Sequence, residues 1–197
     1  MSDDVYDDDF GFRARLERDF AIVKDEWQRF DKRHLRLWPE AHAFHGQWAV
    51  FPLVLAEKRL SEACALFPKT AALLDTVPGL HTSGFSCLGP RSWLPSHRGE
   101  GDDLLRAHLA IEIHEPSGIE VSGKTYHWRE GATFCFDDTA LHRSWNDNDH
   151  GKVVLIIDFK RPAHLVPPHA DVAKLEGQRR HFADHYHAIF GDWIEST

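Results

Sequence analysis

A change of periodicity near residue 79 constrains this chain more than any other feature. Between Gly79 and Phe159, short runs rich in Val, Ile, Phe, Thr and Trp alternate with clusters of Gly, Pro, Asp and Asn. β-Branched and aromatic residues suit a pleated, half-buried surface, and the intervening residues suit tight turns, so the pattern predicts an antiparallel sandwich or barrel. The expected strands are "TSGFSCL", "LRAHLAIEI", "GIEVSG", "KTYHW", "ATFCFDD" and "KVVLIIDF". Before this region Phe12, Leu16, Phe20, Val23, Trp27 and Phe30 recur at three and four, which predicts one helix. A second helical stretch, "EKRLSEACALF", is expected to stop at Pro68, where the backbone donor is lost. The tail, about 170–195, reads as helical again. Helices, then strands, then a helix define an α+β class with an all-β core.

The 197 residues fit one domain large enough to enclose a cavity. No repeat or linker divides them. The formal charge of −8 argues against a nucleic-acid polymer as partner, and much of it sits in an acidic tail at residues 1–9. A local basic site for an anionic small molecule stays open. No apolar run reaches the length of a membrane span, and the N-terminus lacks the basic and apolar regions of a secretory signal. Three widely spaced cysteines, Cys64, Cys87 and Cys135, fit reduced thiols. A cytoplasmic protein without membrane association is expected.

Fifteen histidines are many for this length. His34, His42 and His45 fall in loop-like sequence with no partner pattern, and are read as surface or cap residues. His181 and His185 would share a helix face, but no third ligand completes a zinc motif there. The stretch "SWLPSHRGEGDDLLRAHLAI" carries more. Within it Arg106 and His108 are two apart and point to one face of a strand, opposite Ala107, Leu109 and Ile111. Periodicity alone serves two readings equally, a cation-lined cavity and the solvent face of a sheet. His142 is expected in a turn just past a strand end, where it could meet a ligand from another strand at a barrel mouth. With His97 it would give two neutral imidazoles able to hold a borderline metal and leave other coordination positions open.

Four segments, "GQWAVFPLVLAEKRLSEACALFPKT", "FSCLGPRSWLPSHRGEGDDLLRAHLAIEI", "YHWREGATFCFDDTALHRSW" and "KVVLIIDFKRP", together resemble the aspartyl/asparaginyl β-hydroxylase family of Fe(II)- and 2-oxoglutarate-dependent oxygenases, over about residues 46–162. The resemblance implies a double-stranded β-helix core of jelly-roll, cupin-like type with flanking N- and C-terminal helices. It implies His97 and His142 as the iron ligands, with Gly99 at the place where many iron oxygenases keep a carboxylate. It further implies that Ser86, Arg106 and His108 bind 2-oxoglutarate, together with Lys152 at a position the family fills with arginine. Lysine keeps the charge but loses the bidentate fork. Leu104 stands where peptide-hydroxylating members have a substrate-contacting arginine.

The expected activity is oxidation of an aliphatic C–H bond in a small metabolite by O2, with 2-oxoglutarate converted to succinate. Water at the position vacated by Gly99 implies hydroxylation, and chloride there implies halogenation. A cupin-like binding module without catalysis is the alternative of another class. Arg91, Trp93, Arg98 and Arg143 lie near the ligands in sequence, where each could meet an anionic substrate or solvent.

Overall fold

The computed structural model describes residues 4–99, 103–165, 184, 190 and 191. Twelve strands form two antiparallel sheets among these residues. The larger sheet contains β1 (Val5–Tyr6), β2 (Arg36–Leu37), β3 (Trp48–Leu55), β4 (Lys58–Arg59), β5 (Leu80–Leu88), β7 (Leu104–Glu112), β10 (Thr133–Phe136) and β12 (Lys152–Lys160). Its order is β1-β10-β7-β12-β5-β3-β2, with β4 on β3. The smaller sheet holds β6 (Ser92–His97), β8 (Ser117–Val121), β9 (Lys124–Tyr126) and β11 (His142–Asn146) in the order β6-β11-β8-β9. This is the jelly-roll core, and it is α+β because helices cover one face of the larger sheet.

That cover explains the alternation in the long strands. On β7, Leu105, Ala107, Leu109 and Ile111 are fully buried in the core beneath the helices. Arg106 and His108 take the opposite, concave face, so the solvent-face reading of this strand is excluded. On β5 the same rule sends Phe85 to the helices, where its ring stacks on Trp27 at 4.8 Å, and Ser86 to the concave side.

The helical layer differs from expectation at two places. The run from Phe12 to Phe30 is two helices, α1 (Arg13–Arg18) and α2 (Phe20–Arg29), which break at Asp19. The second helical stretch stops before Pro68 as expected, with Phe67 between them out of helical conformation, but it is shorter than expected and a further helix follows at once. The segment 57–67 contains α3 (Ser61–Leu66) only in its second half, and Pro68 is the first residue of α4 (Pro68–Leu74). Proline suits that position because its missing N–H would have no partner in the first turn.

The next donors of α4 are met from outside. Glu26 of α2, 9% exposed, accepts from the backbone N–H groups of Lys69 (2.9 Å) and Thr70 (2.8 Å) and from the Thr70 hydroxyl (2.7 Å). Removing the carboxylate leaves three donors unmet, two of them on the buried Thr70, so Glu26→Ala is expected to destabilise by about 2–3 kcal/mol. The check is urea unfolding, with a lower midpoint at unchanged slope.

The acidic N-terminal segment is not a loose tail throughout. β1 pairs with β10 through Val5↔Phe136 and Tyr6↔Cys135, and the Asp9 carboxylate accepts from Ala14 N at 2.6 Å. Cys64, Cys87 and Cys135 are free thiols. Among the described residues no helix is long and apolar enough to cross a membrane. The expected C-terminal helix, with its histidines, lies outside the described residues apart from Asp184, Phe190 and Gly191.

Candidate active site

Strands β6 and β11 bring the two histidines together. His142 is the first residue of β11 rather than a turn residue, and its Cα partner in the ladder is His97. Their ring centroids are 4.1 Å apart. His97 Nδ1 lies 2.8 Å from the Pro95 carbonyl and His142 Nδ1 lies 2.9 Å from the Ala140 carbonyl. A carbonyl can only accept, so each Nδ1 carries a proton, and in the neutral ring Nε2 is the nitrogen with the lone pair. Burial, and then the neighbouring His97, push the His142 pKa down to about 3. A neutral imidazole with a free Nε2 is the form that binds a metal ion.

The place opposite Gly99 is filled. A Cβ added there would lie 1.6 Å from Asp138 Oδ2, and the Gly99 N–H donates to the Asp138 carbonyl at 2.7 Å. Glycine therefore admits another residue's carboxylate. Asp138 Oδ1 is 3.4 Å from His142 Nε2 and accepts from Arg106 Nη1 at 2.6 Å. Burial raises the Asp138 pKa, while Arg106 and His97 act against that rise. Among the described residues no group of three His, Cys, Asp or Glu side chains has metal-binding geometry, so the donor set is the histidine pair with a carboxylate beside it.

One cavity of about 70 Å³ is lined by Ser86, His97, Arg106, His108, His142 and Lys152, all six of the sequence-derived side chains, drawn from β5, β6, β7, β11 and β12. Trp48, Ile119, Trp128, Phe136 and Val154 supply apolar walls. His108 is 8% exposed, and neither of its ring nitrogens has a hydrogen-bond partner. Burial, reinforced by the positive Arg106, holds its pKa well below the ordinary value. A neutral, buried and unmet imidazole in a cavity wall is a ready donor for a bound carboxylate. Lys152 is also buried. Its ammonium donates to Ser144 Oγ at 2.7 Å and lies 3.9 Å from the Trp128 ring centroid, and burial pushes its pKa down to about 7. Ser86 Oγ accepts from the Trp48 indole at 2.9 Å, which leaves its own O–H to donate. These groups fit a ligand bearing carboxylates.

Arg106 has a different setting from the one expected. Its Nε and Nη2 make a fork on Asp158 at 2.7 and 2.9 Å, while Nη1 holds Asp138. The guanidinium thus brackets two carboxylates of its own chain instead of presenting an open fork to the cavity. Of the remaining cations near the histidines in sequence, Arg91 pairs with Asp149 and Arg143 with Glu120 on the surface, and Arg98 donates to the Thr139 carbonyl. Trp93 is 45% exposed. Sequence reading missed Asp138 and Asp158. The first was visible as the second aspartate of "FDD", but its approach to Gly99 is tertiary, and no local pattern marks Asp158.

A jelly-roll core thus gathers two histidines, an unmet imidazole and a buried lysine in one cavity, on a fold of cupin-like type. The chain belongs to the aspartyl/asparaginyl beta-hydroxylase family, whose model matches residues 17–162. It is 31% identical over 170 residues to the ornithine lipid ester-linked acyl 2-hydroxylase of Rhizobium tropici, covering 80% of this chain and 60% of that protein. It is 30% identical over 158 residues to the human aspartyl/asparaginyl beta-hydroxylase, covering 75% of this chain and 21% of that one. The chain therefore matches only part of the length of these relatives. A crystal structure of a Pseudomonas putida prolyl-4-hydroxylase shares the fold, with a TM-score of 0.51 at 15% identity, over 82% of this chain and 95% of that one.

Proposed function

We propose that the protein is an Fe(II)- and 2-oxoglutarate-dependent oxygenase that hydroxylates an aliphatic C–H bond of a small-molecule substrate. The observation that carries this reading is the meeting of His97 and His142, both with Nε2 available, in one cavity with the unmet His108 and the buried Lys152. The relatives described above are named as hydroxylases, which supports it. Iron and 2-oxoglutarate, when bound with O2, supply the oxidising power, and 2-oxoglutarate leaves as succinate and CO2. His97 and His142 would hold the metal. Ser86, His108 and Lys152 would hold the carboxylates of 2-oxoglutarate. Arg106 fixes the Asp138 carboxylate beside the metal position, and Trp48, Trp128 and Phe136 exclude water from the cavity.

Halogenation would place an anion in the position facing Gly99. Asp138 Oδ2 already fills that space, so hydroxylation is the reading the geometry favours. The test of the activity is succinate release from a panel of amino acids, nucleotides, peptides and lipids, with product mass measured with and without chloride. A product gaining one oxygen irrespective of chloride is expected. A chlorinated product would sink the assignment of hydroxylation.

Lys152 gives the site a pH signature. With its pKa near 7 in the free protein, the ammonium must be reprotonated to hold a carboxylate at higher pH. Affinity for 2-oxoglutarate is therefore expected to fall by up to about tenfold per pH unit above 7. Isothermal titration with a redox-inert divalent metal in place of iron reads this, and a flat profile from pH 7 to 9 would remove Lys152 from the binding set. Because the folded pKa is depressed below the unfolded 10.5, the penalty of burying the ammonium is fully present below pH 7 and is relieved as pH rises towards 10.5. Lys152→Met is accordingly expected to weaken 2-oxoglutarate binding by about 10–100-fold while raising the melting temperature of the ligand-free protein at pH 7.

A further inference from the structure

The concave face of the larger sheet continues past Arg106 into a second cavity of about 90 Å³, bounded by Trp38, Trp48, Val50, Leu55, Ile156 and Phe190. It shares Trp48, Ser86, Arg106 and Ile156 with the cavity of the paired histidines, so a group filling it lies beside that site. Its walls are built from packed rings. Trp38 and Trp48 stack at 4.4 Å, and Phe190, 5% exposed, meets Trp38 edge-on at 5.8 Å.

Apart from the Ser86 O–H, at the border with the histidine cavity, the polar groups at its margin are engaged within the chain. The Ser83 hydroxyl donates to the Ile156 carbonyl at 2.7 Å, and Thr82 Oγ1 accepts from Ala56 N at 3.3 Å. The Trp48 indole donates to Ser86, and Arg106 is held by Asp138 and Asp158. A polar ligand would have to break these bonds, whereas an apolar one meets carbon surface and displaces nothing. Unfilled apolar volume weakens a core, so such a space beside a reactive site is better explained by a ligand group than by packing.

We infer that this cavity is a subsite for a short alkyl segment of the substrate, with room for about three or four carbons at roughly 30 Å³ per water-sized group. The substrate is then a molecule whose apolar chain lies alongside the reacting position. The cavity assignment stands on its lining alone; only the placement of the chain beside a reacting centre rests on the oxygenase reading.

The test titrates the full-length protein with n-alkanols from ethanol to n-octanol, read by tryptophan fluorescence and ligand-observed NMR. The dissociation constant is expected to fall about fourfold per added methylene, as for burial of apolar surface, until the cavity is filled near propanol or butanol, and then to level off. Val50→Phe, which fills the space from β3, is expected to weaken butanol binding at least tenfold without changing the spectra of added Fe(II) and 2-oxoglutarate. Leu55→Phe serves the same purpose if the first variant does not fold, and the wild-type series decides the matter if neither does. Affinity that ignores chain length, or folded Val50→Phe and Leu55→Phe variants that bind butanol like the wild type, would overturn the subsite. A normal alkanol series in a protein that binds neither Fe(II) nor 2-oxoglutarate would instead sink the oxygenase reading and leave the apolar cavity standing.

Discussion

Replacement of His142 by alanine is expected to lower affinity for Fe(II) by at least about 100-fold, since loss of an outer-shell partner of a metal ligand already costs 10–100-fold. The reason lies in the ladder. His97 and His142 are Cα partners on adjacent antiparallel strands, and each ring is turned by its own Nδ1–H to a carbonyl two residues earlier. One imidazole alone keeps its orientation but offers a single donor, and the nearby Asp138 is tied to Arg106. Anaerobic equilibrium dialysis of the wild type and the variant measures the effect, with the melting temperature as a control on folding. Iron affinity that survives the substitution would place the metal elsewhere.

The second large effect is expected from Gly99→Asp. In enzymes that keep a carboxylate two residues after the first histidine, an aspartate at this position completes a ligand set. Here it is expected to abolish turnover by about 100-fold or more and to lower stability by about 1–3 kcal/mol. The new Cβ would fall 1.6 Å from Asp138 Oδ2, and the Gly99 N–H bond to the Asp138 carbonyl fixes the backbone at that approach. Even after the side chain yields, two carboxylates would compete for one buried place beside Arg106. The paired variant Gly99→Asp with Asp138→Gly removes both clash and repulsion, so it is expected to recover stability and part of the activity. Thermal melts and succinate release on the three proteins check this. Full activity in Gly99→Asp alone would refute the view that Asp138 holds that space.

Strands β5, β7, β8, β9, β10 and β12 were legible because turn residues punctuate them and their composition is β-rich. β3 was not, since "WAVFPLVL" is buried along most of its length, does not alternate, and contains Pro52 at an irregularity in its pairing with β5. β6 was hidden by Pro95 within it, and β11 because its first residue, His142, was read as lying in a turn. Pro68 was read as the stop of one helix, which it is, but its second role as the first residue of α4 was missed, because the capping of α4 by Glu26 from α2 is tertiary.

At the site, Arg106 and His108 were correctly placed on one face of a strand. Whether that face met solvent or a cavity depended on the smaller sheet, whose position periodicity does not encode. Ser86 and Lys152, and the ligand roles of His97 and His142, came from the family resemblance, and the fold does gather the four in one cavity. The pairing of Arg106 with Asp138 and Asp158 could not be read, because ion pairs between distant strands leave no local signature.

The central claim is that His97 and His142 hold iron in the cavity where Lys152 and His108 hold 2-oxoglutarate. It is tested most directly by adding Fe(II) and 2-oxoglutarate to the protein without oxygen and recording the visible spectrum. A saturable charge-transfer band at one iron per chain, absent from His97→Ala and His142→Ala and weakened in Lys152→Met, is the expected result. No band from the wild type, or an undiminished band from either histidine variant, would contradict the claim.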